Sequence, residues 1–237
     1  MKILNREKVK AAILGSVKRV YLAQTADLDL YRNTLDCFSA AIDSLIQGIT
    51  LDEWMAQEKE RQVQKTKQNA IGSLHEDVLG SIDGVSNLSV GQLIDIVSDE
   101  KKLVAEIKNK HNTTKGNHKI AIYQDLVTAV AERPGYTGYY VEILPAGAKQ
   151  YNKCFTPSDN KLKRRMPVRE DIRVIDGQSF YQLLTGSDDA LPELYRELPS
   201  LVAEIIREEF GVELDSGKVT DSKAFMFNFE KAYGSIT

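Results

Sequence analysis

The chain has 237 residues, 42% of them hydrophobic and 27% charged, with a formal net charge of −3. This excludes a disordered or fibrous chain, and no apolar run reaches the roughly 18–20 residues that a membrane-spanning helix needs. The charged start Met1-Lys2-Ile3-Leu4-Asn5-Arg6-Glu7 lacks a signal-peptide core, and the distant Cys37 and Cys154 read as free thiols, so a cytoplasmic protein is expected.

Taken in chain order, the first 82 residues read as helical. Val9, Ala12, Ile13, Val17 and Val20 recur at helical spacing from Asn5 to about Gln24. Leu30, Leu35, Phe38, Ile42 and Leu45 repeat that pattern from about Asp27 to Gln47, ending at Gly48. Thr50-Leu-Asp-Glu53 is a capping box that opens a third helix, polar after Trp54 and continuing or restarting through Ile71, Leu74, Val78 and Leu79. Gly80 and Asp83-Gly84 stop it.

The period then changes. Gln92-Leu-Ile-Asp-Ile-Val97 and Leu103-Val-Ala-Glu-Ile-Lys108 are strand-like runs joined by the charged turn 98–102. An amphipathic helix is predicted over 119–132, strands over 139–144 and 173–176, and helices over 179–184 and from about 190 to 210, the last kinked or split near Pro199. This order predicts an α/β (α+β) core, residues 83–237, with an N-terminal helical layer, residues 1–82, packed on it as one compact domain.

The net charge hides two basic stretches. Residues 101–119 hold six lysines against Glu106, and residues 149–173 hold eight cations against Asp159, Glu170 and Asp171. Each is also what a solvated loop looks like, but two such runs flank one candidate site and would concentrate positive potential.

That site is the hairpin. An acid two residues before a lysine places both on one face of a strand. The tripeptide is common here, beginning at Asp99, Glu100, Glu106, Asp159 and Asp221, but only Glu106 lies in an apolar strand. With a loop of Asp99 to Lys102, paired positions sum to 201, so Asp95 opposes Glu106 and Leu93 opposes Lys108. Two carboxylates roughly 5 Å apart across a hairpin can share a cation such as Mg²⁺, which takes one or two carboxylates with phosphate and water. A metal of this kind activates water for phosphodiester hydrolysis, and an adjacent lysine stabilises the developing charge. An ordinary surface hairpin, with Asp95 and Glu106 paired to Lys108 or Lys110, would use the same residues.

The tract Lys108-Asn-Lys-His-Asn-Thr-Thr-Lys-Gly-Asn-His-Lys119 has no apolar side chain. Lys110, His111, Asn112, Thr113, Thr114, Lys115, Asn117 and His118 offer the cations, amides and hydroxyls that contact phosphates and base edges. With Asp95 and Glu106, this tract resembles the PD-(D/E)XK nuclease superfamily. More narrowly, it is similar to type II restriction endonucleases that cut 5′-GGNCC or 5′-GGWCC sites, the AvaII-like group. Asn69, Ile71-Gly72, His75, Glu76 and Leu79-Gly80, and later Ile175-Asp-Gly-Gln-Ser-Phe-Tyr181, fit the same pattern, so the likeness covers about residues 50–210.

The resemblance implies a central mixed sheet flanked by helices, Mg²⁺ as cofactor, Asp95 and Glu106 as metal ligands and Lys108 as catalytic lysine. Glu76 becomes a candidate additional acid near the metal, or else an exposed helix residue beside Asp77. The superfamily's proline is replaced by Ile94. A homodimer on double-stranded DNA is implied, functionally paired with a DNA methyltransferase. Lys161, Lys163, Arg164 and Arg165 are the main candidates for reading guanines. The competing readings are a repair or mobile-element nuclease with little sequence preference, and a non-catalytic DNA-binding module.

Overall fold

The computed structural model describes residues 1–25, 29–31, 34–88, 93–159 and 163–234. Its centre is a mixed sheet in the spatial order β1 (Ser86–Asn87), β2 (Ile96–Ser98), β3 (Leu103–Lys110), β4 (Thr137–Leu144), β8 (Ile172–Asp176) and β5 (Asn152–Cys154). β3, β4 and β8 run parallel, and the outer pairings are antiparallel. A separate hairpin pairs β6 (Ser158–Asp159) with β7 (Arg164–Arg165). The helices are α1 (Arg6–Thr25), α2 (Cys37–Gln47), α3 (Leu51–Gly80), α4 (Gly116–Ala131), α5 (Gly177–Thr185), α6 (Ala190–Phe210), α7 (Gly217–Thr220) and α8 (Ala224–Tyr233).

The described residues fall into two compact units, one of residues 1–14 with 73–237 and the other of residues 15–72. In the first, helices cover both faces of the sheet, so its central strands are buried on both sides and read as continuous apolar runs. Val104, Tyr140, Ile172 and Val174 point towards Ile122, Tyr123, Leu126, Ala129 and Val130 of α4. Alternate residues point the other way, where the Tyr139 ring lies 5.8 Å from Phe180 of α5. Parallel neighbours need a long crossover, and α4 provides it between β3 and β4.

The hairpin register is the one read from the sequence: Ile96 opposes Ala105, Val97 opposes Val104, and Ser98 opposes Leu103. The β2 strand is shorter than expected, because Asp95 and Ile94 precede it and residues 89–92 lie outside the described residues. The α4 helix begins at Gly116, three residues early, since the Lys115 carbonyl already accepts the His118 and Lys119 amides at 2.9 and 3.0 Å. The α6 helix runs unbroken through Pro199. The β6–β7 hairpin and the helices α7 and α8 were not foreseen. Tyr195 holds α8, stacking on Phe225 at 4.5 Å and donating to its carbonyl at 3.1 Å.

In the second unit, α3 starts at the expected capping box, with the Thr50 amide donating to Glu53 Oε2 at 2.8 Å and the Glu53 amide to Thr50 Oγ1 at 3.2 Å. The α2 helix departs from expectation. It starts only at Cys37, capped by Asp36, so Leu30 and Leu35 lie outside it. The stripe of Phe38, Ile42 and Leu45, expected to face a core, is exposed; the small Ala40 and Ser44 turn inward instead. Among the described residues no helix is long and apolar enough to cross a membrane.

Within the first unit, buried Glu193 of α6 accepts backbone amides from Lys2, Ile3 and Leu4. Burial opposes its charge, but these hydrogen bonds outweigh it and hold the carboxyl below its usual 4.5. Glu193→Ala should cost about 2 kcal/mol at neutral pH, because three amides lose a charged acceptor. The difference from the parent chain should begin to shrink as pH falls below about 4.5, where the carboxyl of the unfolded chain takes up its proton, and disappear only below the depressed value of the folded carboxylate. Urea unfolding of both chains at pH 7 and at pH 3 or below measures it.

Candidate active site

The site sits where β2 meets β3. The regular ladder ends at Ile96 opposite Ala105, and the Asp95 amide just before β2 also donates to the Ala105 carbonyl, at 3.0 Å, so the expected pairing of Asp95 with Glu106 is not part of the ladder. Asp95 Oδ2 accepts the Ile107 amide at 2.6 Å, which fixes its carboxylate against the neighbouring strand. Glu106 and Lys108 point from β3 to the face that α4 covers. Lys108 Nζ lies 2.6 Å from Glu106 Oε1 and 3.9 Å from Asp95 Oδ2, and donates to the Ile107 carbonyl at 3.0 Å. One ammonium thus bridges two carboxylates.

Glu76 reaches the same place from the C-terminal part of α3. His75, beside it, is held by Tyr181 of α5 through a 3.0 Å Nδ1–hydroxyl contact. Burial pushes the His75 imidazole down to about 4, so it is neutral at pH 7. Glu76 is half-buried, not the exposed helix residue that the sequence allowed. Burial, then the Asp95 charge, push its carboxyl up to about 7. Burial and Asp95 raise the Glu106 carboxyl in the same way, with Lys108 pulling against them. Burial works against the Lys108 ammonium, yet its hydrogen bond to Glu106 and the charges of Glu106, Asp95 and Glu76 keep its pKa raised. Three acids around one lysine leave the pocket short of positive charge.

Among the described residues no three His, Cys, Asp or Glu side chains are arranged to hold a metal by themselves. The Asp95–Glu106 pair nevertheless has the donor chemistry of Mg²⁺, which prefers hard oxygens and usually completes its shell with water and substrate phosphate.

The polar tract that follows β3 divides in two. Lys110, Asn112, Thr113, Lys115, Asn117 and His118 are exposed, and His111 is partly so. Thr114, expected with them, is a correction: it is buried and receives the Tyr140 hydroxyl at 3.1 Å, so its side chain anchors the loop to the sheet. Lys119 is likewise engaged, donating to Glu142 Oε1 at 2.8 Å and to the His111 carbonyl at 3.2 Å. In the second basic stretch Lys163, Arg164 and Arg165 are exposed on or beside β7, while Lys161 lies outside the described residues. The β6–β7 hairpin packs near α4, and the Tyr123 hydroxyl donates to the Pro167 carbonyl at 2.8 Å. Arg165, Lys119, Lys149 and Lys153 line one open cleft with Glu142 and Tyr151, so the two basic stretches meet in space.

Glu142 was missed in the sequence. It opposes Lys108 across β3 and β4 and is buried, holding Lys119 and accepting the Tyr151 hydroxyl at 2.5 Å. The signal was present, since Glu142 interrupts an apolar strand as Asp95 does.

The family described as Eco47II restriction endonuclease matches residues 3–207, spanning the hairpin, the polar tract and the second basic stretch. The chain belongs to that family. It is 35% identical to the type II restriction enzyme Eco47II of Escherichia coli over 207 residues, 85% of each chain. It is also 32% identical to the type II restriction enzyme Sau96I of Staphylococcus aureus over 173 residues, 71% of this chain and 66% of that one. The protein is therefore an enzyme, an endonuclease of the type II restriction class, with a mixed-sheet nuclease fold. These relatives bear on the class and not on the narrower AvaII-like grouping.

Proposed function

We propose that this restriction endonuclease hydrolyses both strands of double-stranded DNA at a short palindromic site, GGNCC or GGWCC, in a Mg²⁺-dependent reaction. The observation that supports it best is the bridge from Lys108 Nζ to Glu106 and Asp95 on the hairpin beside a basic cleft. Asp95 and Glu106 would hold the metal, which when bound supplies Lewis acidity towards the scissile phosphate and lowers the pKa of water. Lys108 orients the attacking water and neutralises charge on the phosphate as it builds up. Glu76, poised by burial near neutrality, is the further acid beside the metal and a group able to exchange a proton with the site.

The exposed residues of the tract from Lys110 to His118 contact the DNA backbone, and Lys161, Lys163, Arg164 and Arg165 are the group that reads guanines. The competent form is a homodimer, since a two-fold target is matched by a two-fold protein. A DNA methyltransferase of the same specificity protects the host genome.

Incubating plasmid with the protein in Mg²⁺ and in excess chelator tests the metal requirement. Cleavage is expected only with Mg²⁺, and equal cleavage in chelator would refute it. Arg164→Ala and Arg165→Ala should weaken binding to a site-containing duplex by about 1–3 kcal/mol per lost guanine contact, and binding to a site-free duplex much less. Equal losses on both duplexes would make them phosphate contacts.

A further inference from the structure

The α2 helix is inside out. It buries Ala40 and Ser44 and exposes Phe38, Ile42, Leu45 and Ile46 at 77%, 57%, 84% and 78% of their surface. At about 100° per residue these four form one stripe roughly 100° wide, the width of a face that packs on a core. Scattered surface hydrophobics need no explanation, but a stripe on one helix does. The only charged residue of α2 is Asp43, which turns away from the stripe and accepts Trp54 Nε1 at 3.5 Å.

The surroundings identify what covers the stripe. From Asn33 to Glu58 there is no lysine or arginine, while Asp36, Asp43, Asp52, Glu53 and Glu58 are all acidic. The groove beside α2 is lined by Asp29, Asp36 and Asp43, by Glu58 paired with Arg61, and by Lys65, so acids outnumber cations there. With no cation within the segment that carries the stripe, nothing on it attracts DNA or an anionic lipid surface. An uncharged apolar stripe is complementary to itself, which is what a two-fold contact requires, because the same patch faces itself across the axis.

We propose that α2 docks on α2 of a second copy of this chain across a two-fold axis, with Phe38, Ile42, Leu45 and Ile46 as the apolar centre of the interface. An interface of standard size buries about 800 Å² per partner, and a helix of 11 residues, about 16 Å long, supplies its middle. The proposal rests on the two-strand cleavage reading, which requires two active sites per target, and it assigns the surface through which two copies of the chain join.

Sedimentation of the full chain at micromolar concentration, without DNA or metal, should give twice the 26.6 kDa of the chain. The double variant Leu45→Glu/Ile46→Glu should sediment as a single chain with unchanged helix content. A parent chain that sediments singly, or a folded double variant that keeps the double mass, overturns the proposal. If the double variant does not fold, Leu45→Cys in a Cys37→Ser/Cys154→Ser background, treated with a short bismaleimide, decides it: covalent pairs are expected, and their absence refutes the contact. Because mass is read without DNA, a dimer that cuts at no defined site refutes the function reading alone. A single chain that cuts at a defined site refutes the interface alone.

Discussion

Lys108→Ala should lower the rate of DNA cleavage by about 10²–10³-fold or more while the chain still folds and binds its target. That range is the usual cost of removing one group that stabilises charge in the transition state. Lys108 Nζ lies within 4 Å of both hairpin carboxylates. Glu106→Ala should be at least as damaging, because the proposed metal ligand is lost along with the 2.6 Å contact that orients Lys108. Single-turnover cleavage at saturating protein, together with duplex binding, measures both variants. Cleavage within a few-fold of the parent rate in a folded Lys108→Ala chain would remove the lysine from the chemistry.

The largest stability effect outside the site is expected at Asp176. Its side chain is fully buried at the end of β8 and accepts the Tyr151 amide at 2.7 Å and the Ser179 amide at 3.0 Å. It therefore caps α5 and fastens the segment before β5 in one place. Asp176→Ala orphans both donors in the interior, at a cost of about 3–5 kcal/mol, or roughly 10 °C in Tm for a chain of this size. Gly177→Ala should also destabilise, since a Cβ there would lie 2.5 Å from the Ile143 carbonyl oxygen and 2.8 Å from its Cα. Calorimetry on Asp176→Ala and Asp176→Asn separates the effects, because the amide keeps one acceptor and should recover part of the loss. An unchanged Tm in Asp176→Ala would show that the two amides find other partners.

The segment Ile175-Asp-Gly-Gln-Ser-Phe-Tyr181 shows what sequence similarity alone conveys. It marked the family pattern, and the structure gives its residues packing and capping work: Asp176 caps, Gly177 allows close approach, Phe180 packs on Tyr139, and Tyr181 holds His75. The hairpin was legible because alternation and turn length fix an antiparallel register, and Asp95 reads as a misfit in an apolar strand. Glu142 carried the same misfit signal, but its partners Lys119 and Tyr151 lie 23 and 9 residues away and meet it only in the folded chain. Thr114 could not be separated from its exposed neighbours by composition, since only its burial against Tyr140 distinguishes it.

Periodicity also located α2, but it could not say which way the stripe faces. Apolar spacing reports that a surface is destined for burial, whether by its own chain or by another. The β6–β7 hairpin is too short, at two residues per strand, to give a period at all.

The most direct test of the account is digestion of a sequenced plasmid with the purified protein in Mg²⁺, followed by sequencing of the fragment ends. Discrete fragments are expected, every end mapping to one short palindromic site of the GGNCC or GGWCC type, with no fragments from the Glu106→Ala chain. A smear of random ends, or cleavage that persists undiminished in folded Glu106→Ala, would contradict it.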